Sequence, residues 1–350
     1  MRVLALTKYD IKWASARLRF AQFRAPLAEQ GIELELSPLL TDDLVGVRLS
    51  TLPIRSLLAA IERRLSALAR SRRYDALIIH YELFPYAPAL FEGLLSALRI
   101  PYLVDYDDAI FHQYDHNDNA LVRWLLSDKI AQVIQRARAV FAGSHYLEDY
   151  ARQHNPRVVF VPTVIDVNRY GRIDPSRPRS ADLSLAWVGS PSTSEYLSLV
   201  APALERFGRE KKLRFIVTGG KPIQIPGVEV EVRRWSEETE VRDLLECDAG
   251  IMPLPDTPWA RGKCAFKLIQ YMGCAMPVIA SPVGANRDVV RDGVEGLWAT
   301  DEEAWVQALR TLEADPGLRA KMGAAGRARV EEHYSVEAVL PRIADTLKNL

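Results

Sequence analysis

The sequence has 350 residues, more than one ordinary hydrophobic core fills, which predicts two domains. Hydrophobic residues make up 48% and charged residues 26%, the composition of a globular chain. Lysine plus arginine (45) balance aspartate plus glutamate (45), so no global charge draws the chain to nucleic acid and no nucleic-acid partner is expected.

The three cysteines, Cys247, Cys264 and Cys274, are odd in number and lack CxxC spacing. They read as reduced thiols rather than a disulfide frame or zinc site, which points to the cytoplasm. The opening MRVLALTKYD holds a five-residue apolar stretch, too short for a signal peptide and fit for a first strand. No apolar run approaches the roughly 20 residues of a membrane helix. A cytoplasmic protein is expected, with peripheral contact on the inner face of the cell membrane left open.

Short apolar runs alternate with helical patterns throughout, the signature of βα units and a parallel sheet. In the first half the predicted strands are 3–7, 32–37, 76–80, 102–105, 139–142 and 158–162, with helices at 14–30, 56–70 and 121–136. The stretch 162–184 is polar, Pro-rich and aperiodic, and reads as a linker. Strands then resume at 185–188, 215–218, 228–232, 249–252, 278–280 and 296–299. Helices are predicted at 193–209, 237–246, 266–273, 302–313, 316–333 and 336–348. The domain reading is 1–165, a linker at 166–184, a second domain at 185–333 and a terminal helical segment at 334–350. Two Rossmann-like doubly wound halves place their ligands beyond the carboxyl ends of the strands, facing a central cleft.

Candidate residues follow in chain order. The first turn, Thr7-Lys8-Tyr9-Asp10, lacks GxGxxG, so dinucleotide binding is not expected there. Lys8, Arg17 and Arg19 put positive charge on the rim of this half, suited to phosphate or an anionic acceptor, or to a plain surface helix. Helix 56–70 carries Leu57, Leu58, Ile61, Leu65 and Leu68 on one side, with Arg63 and Arg70 opposite. Segment 44–73 holds seven arginines and one acid, so it reads either as a core-facing helix with a solvated face or as a peripheral membrane contact. His80 ends a predicted strand and is either a core or an acceptor-side residue.

Asp105, Asp107 and Asp108 crowd the end of another strand, and three carboxylates this close call for cations. Arginine pairing with Arg17 or Arg19, acceptor positioning, catalysis by Asp107, an Asp-x-Asp metal site and a solvated acidic loop all remain open. His112 and His116 have helical metal spacing with Asp115 between, but flanking Asn and Asp residues suggest an irregular loop, and no metal is expected. Ser144, in Gly143-Ser144-His145-Tyr146, follows a strand and suits contact with acceptor or phosphate.

In the second half, Gly189-Ser190-Pro191-Ser192-Thr193 is a glycine turn with hydroxyls, and Ser192 with Glu195 has capping-box spacing. A helix N-terminus there takes an anion. Segment 248–286 runs strand, Pro-rich loop, helix, strand. It delivers Arg261, Gly262 and Lys263 ahead of the helix, Lys267 in its first turn and Gln270 on the same face. These cations beside helix N–H groups suit a diphosphate, and an amide suits a pair of sugar hydroxyls. Ser281 and Gly284 lie in the turn after the next strand. No GxSxG, HExxH or GxxxxGK[ST] occurs, so hydrolase, metalloprotease and P-loop readings have no support.

The stretch from Lys267 to Ser281, Lys-Leu-Ile-Gln-Tyr-Met-Gly-Cys-Ala-Met-Pro-Val-Ile-Ala-Ser, resembles the donor-site motif of glycosyltransferase family 4, a GT-B family. The usual form is Glu-x7-Glu-Ala-Met-Ala-x-Gly-x-Pro-Val-Val-Ala. Gln270 falls on the second glutamate, which in the family holds the donor ribose, and Gly262 falls on the first. The likeness continues through Gly293-Val-Glu-Gly296 and Met322-Gly-x-x-Gly326-Arg327, and is looser in the first half.

The resemblance implies a GT-B fold whose second half binds a nucleotide-sugar at Gly189, Ser190, Thr193, Lys267, Gln270, Ser281 and Gly284. Arg261, Lys263 and Lys267 would stabilise the diphosphate. The first half would hold a glycan or lipid-linked acceptor beside Lys8, Arg17, Arg19, His80, Asp105, Asp108 and Ser144, with Asp107 where the family often carries a histidine. Retention of configuration, no metal or other cofactor, and a terminal helix crossing back to the first half are also implied. A nucleotide-sugar epimerase and a silent sugar-nucleotide-binding scaffold are the rival readings, the latter motivated by the missing glutamates.

Overall fold

The computed structural model describes residues 1–41, 52–173 and 182–350. Residues 44–51 of the basic segment and 174–181 of the predicted linker lie outside the described residues.

The first sheet has the order β2-β1-β3-β4-β5-β6, all pairs parallel. Its strands are β1 (Arg2–Leu6), β2 (Glu33–Leu36), β3 (Ala76–His80), β4 (Tyr102–Tyr106), β5 (Ala139–Ala142) and β6 (Val158–Phe160). Strands β3, β4 and β5 are buried at every position, which is why they read as apolar runs rather than alternation. Leu4, Leu6, Leu77, Ile79, Val104 and Val140 form the centre of this core.

The second sheet has the order β12-β11-β10-β7-β8-β9, again all parallel. Its strands are β7 (Leu183–Val188), β8 (Leu213–Thr218), β9 (Glu229–Arg233), β10 (Ala249–Met252), β11 (Val278–Ala280) and β12 (Gly296–Trp298). Leu185, Trp187, Phe207, Phe215, Ile251, Ile279 and Leu309 build its core.

Contacts divide the chain into two compact units. The first comprises Met1–Val164, Gly262–Cys264 and Val339–Leu350, and the second comprises Ile165–Arg261 and Ala265–Ala338. The helix Val336–Lys348 therefore begins with the second unit and continues with the first.

Proline breaks two predicted helices. The stretch 14–30 becomes Ala14–Arg19, a 3-10 turn at Ala21–Phe23 and a new helix Arg24–Glu29 with Pro26 in its first turn. The stretch 193–209 becomes a 3-10 segment, Ser194–Leu199, and a helix Ala201–Glu210 with Pro202 near its start. A proline lacks the N–H an interior position must donate and is best placed in a first turn, which is where Pro26 and Pro202 sit after each restart. The capping box expected at Ser192 is not formed, because Thr193 is the cap residue and no side-chain capping bond is made there.

The helix Ile54–Ala69 departs from expectation in its orientation. It fully buries Ala60, Arg64 and Ala67, while Leu57, Ile61 and Leu68 of the leucine stripe are only half-buried. Arg64 donates to the backbone carbonyls of Thr7 (2.6 Å) and Ser37 (3.3 Å), while the alanines permit close approach. Leu58 and Leu65 are left exposed. Among the described residues no helix is long and apolar enough to cross a membrane.

Arg327 anchors the end of the linker region. It donates to the carbonyls of Tyr170 (2.8 Å), Val167 (3.1 Å) and Gly273, the last residue of helix Phe266–Gly273. Arg327→Met orphans these carbonyls and is expected to lower stability by about 2–4 kcal/mol in urea unfolding. A loss below about 0.5 kcal/mol would remove Arg327 from this role.

Candidate functional site

In a parallel sheet all carboxyl ends share one edge. In the first unit that edge carries Lys8 after β1, His80 and Tyr81 at β3, and Asp105 to Asp108 at the end of β4. Asp105 and Arg19 are both buried and form a two-pronged pair, with Arg19 Nε 3.0 Å from Asp105 Oδ2. A third Arg19 nitrogen donates to Val161 O at 2.6 Å. Arg19 is thus not on a solvent-facing rim: a buried guanidinium needs a counter-charge, and Asp105 supplies it. Arg17 does not share this pair, and its nearest backbone acceptors, Ile11 O and Lys12 O, are 3.4 and 3.5 Å away.

Asp107 and Asp108 sit in different surroundings. The Asp107 carboxylate accepts from Tyr81 Oη, and His80 Nε2 lies 3.5 Å away. The Lys8 backbone N–H donates to His80 Nδ1 (3.4 Å), which leaves Nε2 as the ring nitrogen that faces Asp107. The His80 ring stacks on Tyr81 at 3.8 Å between centroids. The buried Lys8 has its ammonium 5.5 Å from the Tyr9 ring and 5.8 Å from the Tyr81 ring, within cation–π reach.

Burial raises the pKa of Asp107, but His80, Arg19 and Tyr81 outweigh it and hold the carboxyl below its ordinary range. Partial burial raises that of Asp108, whose side chain is 37% exposed, and Asp107 adds to the rise while Lys263 (3.7 Å) opposes it. Burial, reinforced by Asp107, pushes the Tyr81 phenol well up.

The tripeptide Gly262–Cys264 belongs to this unit. Cys264 Sγ donates to Asp107 O at 3.0 Å, and burial keeps its thiol well above the ordinary range, hence un-ionised. A Cβ on Gly262 would collide with Ala109 Cβ and come within 3.1 Å of Ala109 N. The position of the first motif glutamate is therefore too tight for any side chain.

In the second unit the carboxyl edge is lined by glycine. A Cβ on Gly189 would lie 2.5 Å from the Trp187 ring and 2.9 Å from Thr193 Oγ1. A Cβ on Gly220 would meet the same ring at 3.0 Å. Lys267 Nζ lies 5.4 Å from that indole's centroid, on a helix with no side-chain cap. Ala265, just before the helix, is held at φ +52, which reverses the chain ahead of its first turn. Gly284, at φ +52, packs 2.8 Å from Arg261 Cα if given a Cβ. Ser281 Oγ accepts from Leu254 N (3.0 Å), tying the two loops together. Arg261 is paired through two nitrogens with Asp256, at 2.5 and 3.0 Å. Ser190 Oγ bonds within the turn, 2.9 Å from Ser192 Oγ.

Gln270 is buried, and its amide donates to Tyr170 Oη at 3.1 Å. Tyr170 donates to Glu240 (3.3 Å), which also accepts from Trp235 Nε1 (2.8 Å). This chain of four groups leads back to the carboxyl edge, since Trp235 follows β9 and its Cβ would be 3.0 Å from one on Gly219. Tyr170, Glu240, Trp235 and Trp187 are absent from the residues singled out in the sequence, and only Trp187, next to the Gly189 turn, carried a local signal.

Ser144 caps helix His145–Arg152, accepting from Leu147 N at 3.4 Å, and is buried there rather than presented to a ligand. His112 to Asp115 form a short helix, not an irregular loop. His112, Asp115 and His116 offer ligand atoms within 4.8 Å of one another. Both His112 ring nitrogens are engaged, with Asp115 (3.0 Å) and Tyr146 Oη (2.8 Å).

Comparison with known proteins agrees with this architecture. Sucrose-phosphate synthase from Thermosynechococcus elongatus superposes with a TM-score of 0.73 at 15% identity, covering 100% of this chain and 98% of that one. Anabaena HepE, solved in complex with UDP and glucose, gives 0.70 at 15% identity, covering 100% and 99%. Two six-stranded parallel sheets in α/β units with these neighbours define a GT-B fold.

Residues 3–163 match the glycosyl transferase 4-like domain, and residues 183–315 match the glycosyl transferases group 1. The chain belongs to glycosyltransferase family 4, as a divergent member with Gly262 and Gln270 at the motif glutamates. It is 40% identical over 75 residues to alpha-maltose-1-phosphate synthase of Mycolicibacterium smegmatis, 19% of each chain. It is 26% identical over 226 residues to D-inositol 3-phosphate glycosyltransferase of Xylanimonas cellulosilytica, 56% of this chain and 54% of that relative. The matches thus span about a fifth and about half of these relatives' lengths.

The two aspartates should respond oppositely. A carboxyl held below its ordinary pKa stabilises the fold at neutral pH, and that stability is lost as pH falls through its folded value. A raised one favours the fold when protonated, and that contribution is lost as pH rises through its folded value. Asp107→Asn is expected to cost about 1–3 kcal/mol at pH 7, and Asp108→Asn to be neutral or stabilising, in urea unfolding. Equal losses for both would refute the asymmetry. Separately, Gly262→Ala should destabilise by about 1–3 kcal/mol, and Ala109→Gly in the same chain should recover part of the loss.

Proposed function

We propose that the protein transfers a glycosyl group from a nucleoside diphosphate sugar, bound at the carboxyl edge of the second sheet, to a glycan or lipid-linked acceptor. The observation that carries this reading is the Lys267 ammonium over Trp187, beside the glycine turns at Gly189 and Gly220. The glycines let the turns pack against the Trp187 ring beneath the cation, and the cation complements charge that grows on a departing diphosphate. A charge preorganised against an indole needs little rearrangement as that negative charge develops.

Arg261 would add a second cation by exchanging Asp256 for phosphate. Gln270 would hold the ribose through its remaining amide capacity, or act from behind by fixing Tyr170. The proposed reaction uses no metal and retains anomeric configuration. On the first unit, His80, Asp107, Asp108 and Lys8 are the groups proposed to position the acceptor, with Arg19 and Asp105 as their rigid support. The protein is proposed to work in the cytoplasm.

A second reading is favoured by one observation, the tight packing of Gly262 on Ala109. It leaves no space for the first motif glutamate, so a silent sugar-nucleotide scaffold would look the same.

UDP is the first ligand to test, because HepE is solved with UDP and with UDP-glucose. A thermal-shift panel of UDP, GDP, ADP and dTDP should single out one base. At about 100 times its dissociation constant it should add about 2.7 kcal/mol of stability. Lys267→Met should abolish that shift, and Tyr170→Phe should weaken it without loss of fold. A new glycoside on incubation with the matching nucleotide-sugar would establish transfer. A shift with unchanged donor across acceptor mixtures would favour the scaffold, and no shift with any nucleotide would overturn both.

A further inference from the structure

The helix Ile54–Ala69 turns Arg64 inward and leaves Leu58 and Leu65 outward, with Leu57, Ile61 and Leu68 half-buried between the two faces. With Ala60, Arg64 and Ala67 facing the core, Ile54 (65%), Leu58 (58%) and Leu65 (41%) are exposed along one face. The neighbouring helix Leu90–Ala97 buries Glu92 and Leu95 and exposes Leu90 (71%) and Leu94 (52%), with Leu98 (45%) just beyond its end. Leu90, Leu94 and Leu98 recur at four-residue intervals, again one face. Leu65, Leu94 and Leu98 also line a groove of about 310 Å³ that joins the two helices, floored by Leu68, Phe91 and Leu95.

Scattered exposed apolar side chains are ordinary, but five leucines and an isoleucine, on or just beyond two helices that share an apolar groove, form the kind of patch that marks a docking surface. Its charge decides the partner. Arg55, Arg72, Arg73 and Arg99 are exposed around it, and Arg72 lines the groove itself. From Ile54 to Arg73 the chain has six arginines and a single acid, Glu62, although the whole sequence is neutral.

We propose that these leucine faces and their arginine rim form a docking surface for an anionic lipid bilayer. The leucines enter the interfacial region while the guanidiniums stay at the level of the lipid phosphates. A second copy of this chain fits less well: a two-fold interface pairs a patch with itself, which sets this arginine-rich rim, relieved by Glu62 alone between Ile54 and Arg73, against its own image. The surface does not depend on the donor reading, since neither helix carries any of its residues.

The test uses the full chain without donor. It is sedimented with vesicles of phosphatidylglycerol and phosphatidylcholine in equal parts, and with vesicles of phosphatidylcholine alone. Wild type should bind the anionic vesicles, bind the neutral ones far less, and be released in part by about 0.5 M salt. The double variant Leu94→Glu with Leu98→Glu should lower partitioning about tenfold or more, with its melting temperature unchanged. Arg72→Ser with Arg73→Ser should weaken binding to anionic vesicles only.

Wild type remaining in the supernatant would overturn the proposal. So would glutamate variants that bind as wild type, which would leave electrostatics alone. A dimer mass by light scattering that these variants reduce to a monomer would assign the surface to a second copy instead.

Discussion

Every strand of a parallel sheet leaves by its carboxyl end on the same edge, and the chemistry of this protein is arranged by that constraint. In the second unit it brings the turns after β7, β8, β9 and β11 together, although they are scattered from residue 189 to residue 284. The glycines there let these turns pack closely on one another: Gly189 N donates to Thr218 O (3.0 Å) and Gly219 N to Arg233 O (2.8 Å). In the first unit the same geometry sets Lys8, His80 and Asp105 to Asp108 side by side.

Fixed groups support adaptable ones on both edges. Arg19 and Asp105 are buried and satisfy each other, and that pair keeps β4 and its following carboxylates in place. Asp107 then takes Tyr81 and His80 as partners while Asp108 takes Lys263, so two adjacent aspartates acquire opposite proton affinities. In the second unit Tyr271 accepts from Val188 N and donates toward Ile251 O, pinning helix Phe266–Gly273 to β7 and β10. Lys267 is carried on that pinned helix.

Much of this was legible along the chain. Fully buried strands such as Ala76–His80 and Val278–Ala280 announce themselves as apolar runs, and the helix Phe266–Gly273 as a periodic segment between turn residues. What stayed hidden depended on distant partners. The inward face of helix Ile54–Ala69 is chosen by carbonyls at Thr7 and Ser37, which no periodicity within the helix encodes. Gln270 stood out by its place in the motif, yet its partner Tyr170 lies 100 positions away. The pairing of Arg19 with the Asp105 cluster was one of the open readings, but the choice of Arg19 over Arg17, and of Asp105 over its neighbours, rests on a contact across 86 positions. The Gly262 vacancy in the motif became intelligible only once Ala109 was found against it.

Hydrogen–deuterium exchange in the presence and absence of the nucleoside diphosphate that binds tests the central claim most directly. Protection should rise in peptides covering residues 187–193, 219–220 and 265–270, with the amino ends of the same strands unchanged. Protection confined to other segments, with these three unaffected by bound nucleotide, would contradict a donor site built on Trp187 and Lys267.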